Sequence, residues 1–65
     1  MEIHMIWDAN ILAVFRELAR LGIAVNQESF AAIAETTNKA TGLNVSADTD
    51  PEAAGELWLP ALRAL

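Results

Sequence analysis

Between Trp7 and Gly22 the apolar positions Ile11, Val14, Phe15, Leu18 and Leu21 recur at intervals of three and four. That spacing lines side chains up on one face of an α-helix. Asn10, Arg16, Glu17 and Arg20 fall largely off the stripe. Asp8 suits the N-cap, where a carboxylate accepts from the free amides of the first turn. Trp7 and Leu12 have the spacing of a hydrophobic staple across it. Gly22 can take the left-handed conformation that ends a helix, with Ile23 folding back on the last turn. The pattern predicts a helix over about 8–21.

A second stripe, Phe30, Ile33, Ala34 and Thr37, continues weakly through Ala40 and Thr41. Asn26 is the expected cap, and Val25 with Phe30 repeats the staple spacing. The predicted helix covers about 27–41. Its second half, ETTNKAT, is a poor helix former because threonine and asparagine side chains lose freedom or compete for the backbone. Gly42 and Leu43 close it as Gly22 and Ile23 close the first.

The third start signal is Asp50-Pro51. Proline favours the first helical position and pushes its predecessor into the extended region that a cap needs. Glu52 suits the positive end of the helix dipole. Pro60 removes a backbone donor and clashes with the preceding turn. The predicted helix is therefore 51–59, with a break near Pro60 and a short final turn over 60–65. These segments describe an all-α, three-helix, single domain spanning 1–65. Residues 2–6 (EIHMI) suit a short extended lead-in.

Ile3-His4-Met5, Ile23-Ala24-Val25 and Leu43-Asn44-Val45 recur every twenty residues. Three strand–helix units would place these triplets side by side in a small sheet. The alternative is helix termination happening twice by the same rules. The glycines support the second reading, because Gly22 and Gly42 sit where helices must stop. The triplets then act as buried plugs between helices.

Composition sharpens this picture. Of 65 residues 54% are hydrophobic, but many are alanine, a strong helix former and a weak core filler. A chain this short buries only about 60% of its unfolded surface, so a small domain usually needs a further source of stability. With no cysteine and a single histidine, His4, disulfides and Cys- or His-rich metal sites are excluded. Partner binding or oligomerisation is left.

The net charge is −5, and the bases are Arg16, Arg20, Lys39 and Arg63. None lies between Ala40 and Leu62, where Asp48, Asp50, Glu52 and Glu56 all fall. Nucleic-acid binding wants a basic stripe, which this balance opposes. An acidic face suits a basic protein partner or simple solubility. There is no secretory leader pattern and no apolar run near the roughly 20 residues of a membrane span, so a soluble cytoplasmic chain is expected.

No constellation carries chemistry. Asp48, Asp50 and Glu52 alternate as in a calcium loop, but the required glycine and distal glutamate are missing. His4 with Ser29 or Ser46 matches no catalytic signature. The three glycines are too scattered for a phosphate loop. A helix-turn-helix would need a shorter turn than residues 42–50 and a basic reading helix. Neither Ser29 nor Ser46 stands in the context of an acyl-carrier attachment site. No enzyme activity, cofactor or metal is expected.

What remains is apolar material in excess of a small core. ELWLPALRAL holds Leu57, Trp58, Leu59, Leu62 and Leu65, and the N-terminus adds Ile3, Met5, Ile6 and Trp7. Either both tryptophans are core, or one of them, Trp58 before Trp7, anchors a partner, since tryptophan is enriched at binding hot spots. The expected docking set is Trp58, Leu57, Leu62, Leu65 and Trp7, steered by Asp48, Asp50, Glu52 and Glu56. The expected function is a small acidic protein-binding module, of the kind phages and mobile elements use to inhibit or modulate a host protein. The alternative is a self-associating structural or assembly subunit with the C-terminal cluster as its seam.

Overall fold

The computed structural model describes residues 7–25 and 29–65. They form three helices: α1 (Ala9–Arg20), α2 (Phe30–Thr41) and α3 (Pro51–Arg63). The chain is all-α, as its periodicity predicts, and no strand forms among the described residues.

Helix α1 follows the sequence rules closely. The Asp8 carboxylate accepts from the Ile11 amide at 3.0 Å. At the other end Gly22 has φ +75°, its amide donates to Ala19, and the Ile23 amide donates to Leu18. This is the paired-bond termination that brings the residue after the glycine back onto the helix. Ile23 is accordingly half-buried against the core. The staple from Trp7 to Leu12 does not form. Leu12 is about half exposed, and Trp7 packs edge-on against Phe15 instead. Leu12 follows Ile11 by one position and so lies about 100° around α1 from it, off the buried stripe, whereas Phe15 sits beside the stripe.

Helix α2 begins later than its sequence predicts. Ser29, not Asn26, is the cap, and its hydroxyl accepts from the Ala32 amide at 3.1 Å. Asn26 lies outside the described residues. The later start makes Phe30 the first helical residue, where its ring reaches both Trp7 and Trp58. The inner face is the expected one, with Ile33, Ala34 and Thr37 buried. Buried Thr37 satisfies its hydroxyl on the Ile33 carbonyl at 2.7 Å. Gly42 (φ +77°) ends the helix with a single bond from its amide to Asn38. That simpler ending does not carry the next residue back to the core, and Leu43 stays exposed. Leu43 is therefore not the buried plug expected; Ile23, Val25 and Val45 are half-buried against the core. The Ile3–Met5 triplet lies outside the described residues.

Helix α3 opens as expected, with Asp50 capping the Ala53 amide and Pro51 in the first turn. It does not break at Pro60 but runs on to Arg63. The carbonyl deprived of its donor by Pro60 is that of Glu56, four residues earlier. Both residues are exposed, so water can serve that carbonyl and the helix continues.

Helices α1 and α3 lie alongside each other and point the same way. At their starts, the Asn10 amide nitrogen donates to the Glu52 carbonyl at 3.0 Å. At their ends, Arg20 donates to the Leu62 and Leu65 carbonyls at 2.9 and 3.4 Å. Two parallel neighbours need a return path, and residues 21–50, with α2 inside them, supply it. The core is Ile11, Val14 and Leu18 from α1, Ile33 and Ala34 from α2, and Ala54, Trp58, Leu59 and Leu62 from α3.

Candidate docking surface

The five apolar residues expected to form one docking cluster are separated by the fold. Trp58 and Leu62 are completely buried, so neither is a surface anchor. The reason is the rotation of α3. Positions 54, 55, 58, 59 and 62 form one helical face, which packs inward. Trp58 is also held by polarity, since its indole N–H donates to Asn38 Oδ1 at 2.9 Å. Trp7 is half-buried, wedged between Phe15 and Phe30, and belongs to an aromatic run that continues to Trp58. Leu57 and Leu65 are the two that face solvent, each 57% exposed.

Leu57 stands in the middle of a continuous outward face. Ala53, Leu57, Pro60 and Ala64 follow one another at intervals of four, three and four, and all are exposed. That spacing is the seam pattern by which a helix meets another helix. No charged residue lies on the stripe. A surface helix ordinarily turns charged and polar residues to solvent. Helix α3 instead has an apolar face on each side, one in the core and one free.

The acids sit beside the stripe. Asp48 and Asp50 lie in the loop that enters α3, Glu52 in its first turn and Glu56 in its second, and all four are exposed. Asp50 is committed to its cap, and the Glu52 backbone carbonyl to Asn10. The Asp48 backbone amide donates to Ser46 Oγ at 3.1 Å, which shapes the turn. The side chains of Asp48, Glu52 and Glu56 project from the surface as an acidic rim. At the far end of the helix Arg63 reverses the sign, with its side chain 61% exposed and its Nε in a long ion pair with Glu17 Oε2 at 3.9 Å. Arg20 is used internally, on Glu17 at 2.8 Å and on the α3 carbonyls.

Two residues that frame this surface escape sequence reasoning. Asn38 clamps Val45 from both sides, accepting from its amide at 3.0 Å and donating to its carbonyl at 2.9 Å, while also holding Trp58. In sequence it reads only as a weak helix residue. Gly55 faces α1 so closely that a Cβ there would lie 2.6 Å from Asn10 Cβ. A glycine inside a helix costs about 1 kcal/mol relative to alanine, and that cost is the signal that could have marked it.

Among the described residues no group of three His, Cys, Asp or Glu side chains converges as a metal site would require. Among the described residues no helix is long and apolar enough to cross a membrane. Comparison with known protein families, curated proteins and solved structures finds no match to this chain.

Proposed function

We propose that the protein is a small, non-catalytic docking module that acts by binding another protein chain through the outer face of α3. The observation that carries this reading is the apolar stripe centred on Leu57, exposed along a helix whose opposite face is already in the core. Such a surface gains free energy by leaving water, at roughly 25 cal/mol per Å² of apolar area. The acidic rim of Asp48, Glu52 and Glu56 favours partners with a basic surface, and charge of this kind acts mainly on association rate and specificity. A phage or mobile-element inhibitor of a host protein is one setting that fits a compact acidic binder.

The test is Leu57→Asp. Leu57 has no core role, so the variant should keep the helicity and unfolding temperature of the parent. Immobilised parent protein should capture a specific partner from cells of its source, and Leu57→Asp should not. Equal capture by both would reject α3 as the docking element.

A further inference from the structure

We infer that the outer face of α3 is a self-complementary seam, on which a second copy of this chain seats its own α3 in antiparallel orientation. The inference rests on that face being the docking surface and names its occupant.

The first ground is symmetry. A two-fold interface requires each residue to meet its symmetry mate's counterpart. The stripe has the spacing four, three, four, which reads the same from either end. Placing a two-fold axis between Leu57 and Pro60 sets Ala53 opposite the second copy's Ala64 and Leu57 opposite its Pro60. Small residues then lie at both ends of the contact, letting the helices approach, and the larger pair fills the centre.

The second ground is charge. Glu56 and Arg63 are seven residues apart, so they flank the same edge of the stripe two turns from one another. In a parallel pair Glu56 would lie level with Glu56. In the antiparallel pair the axis brings Glu56 to within about 3 Å, measured along the helix, of the second copy's Arg63. Symmetry makes this contact twice. Both residues are exposed, and the Arg63–Glu17 ion pair is long, at 3.9 Å, so Arg63 can exchange it for a contact across the seam at small cost. No basic partner has to be supplied: the helix carries its own counter-charge at the correct spacing and in the correct order for antiparallel pairing only.

A seam of one short helix per copy is smaller than the roughly 1,200 Å² of a stable complex, so the dimer is a weak one in rapid exchange. Its role is to cover Leu57 when no other partner is present.

Sedimentation equilibrium and concentration-dependent amide shifts test this on the whole chain, with circular dichroism confirming that each variant is folded. The parent should show a monomer–dimer equilibrium with shifts confined to the outer face of α3. Leu57→Asp should abolish it. Glu56→Arg and Arg63→Glu should each weaken it by about tenfold, because each breaks both symmetric pairs. The double variant E56R/R63E should return to within about twofold of the parent, which only the antiparallel arrangement allows. A protein that stays monomeric to millimolar concentration overturns the inference, as does a dimer that survives Leu57→Asp. A double variant weaker than either single one overturns it too. If the chain is monomeric while Leu57→Asp still loses a captured partner, the inference falls and the docking function stands. A seam confirmed as above, with capture unaffected by Leu57→Asp, does the reverse.

Discussion

Asn38 is the residue on which three segments converge. Its side chain bonds the Val45 backbone in both directions and receives the Trp58 indole N–H, tying α2, the 43–49 loop and α3 together. Replacing Asn38 with alanine leaves the indole N–H and two backbone groups without partners in a partly buried site. The expected loss is about 2–3 kcal/mol, the desolvation penalty of orphaned groups rather than the smaller net value of the bonds. Denaturant unfolding followed by tryptophan fluorescence measures it, and a loss below about 0.5 kcal/mol would show the clamp to be incidental. Residue roles were legible in the sequence where they are local. Asp8, Asp50, Gly22 and Gly42 act within one turn of themselves, so the chain around them states their function. Asn38 reaches Val45 across seven positions and Trp58 across 20, and nothing in the residues beside it marks either partner. Ser29 against Asn26 was a contest between two competent caps, and neither side chain announces which will hold the first turn.

At the scale of elements, the informative conflicts are Pro60 and Gly55, both residues that helix propensity disfavours in α3. Pro60 is tolerated because the bond it removes faces water. The same residue one position earlier would have turned its ring and the lost bond toward the core. Gly55 is required because α1 passes too close for any side chain. Gly55→Ala should gain about 1 kcal/mol in helix propensity. Against this, the new Cβ would meet both the Asn10 side chain at 2.6 Å and its backbone at 3.2 Å. A Cβ has no rotamer with which to escape, so the helices must separate, at about 1–3 kcal/mol for overpacking. The net expectation is a lower unfolding temperature, by about 4–8 °C for each kcal/mol lost. A variant at least as stable as the parent would show that α1 and α3 can part at no cost. Helix existence was legible throughout, from the strong stripe of α1, the weaker one of α2 and the Asp50-Pro51 start of α3. Helix rotation was not. Leu57 and Trp58 are neighbours of equal apolar weight, and only the packing of α1 and α2 on α3 decides that Trp58 points in and Leu57 out.

For the whole molecule, the radius of gyration of 11.0 Å is that of a chain of this length packed to ordinary density, about 11 Å. Among the described residues, part of the apolar surplus lies at the surface, in Leu12, Leu43, Leu57 and Leu65, and only Leu57 of these is within α3. The sequence conveyed that surplus correctly and also its acidic setting. It did not convey which apolar residues stay exposed, because that is decided by what the core leaves over. The parallel pairing of α1 and α3 adds one more consequence, and it concerns time. The two helices that share the most surface are joined by contacts such as Asn10 to Glu52, 42 residues apart in the chain. Each such contact must close a long loop before it returns any free energy, which slows folding relative to bundles built from successive hairpins. Helices α1 and α2 each pack mainly on α3 and cannot bury their stripes on each other alone. A fragment ending at Thr49 should show little helicity by circular dichroism and recover it when a peptide of α3 is added; a fragment helical by itself would contradict this order. On the ribosome, the first two helices are thus spectators until α3 has been made, and the whole domain assembles in a single late event.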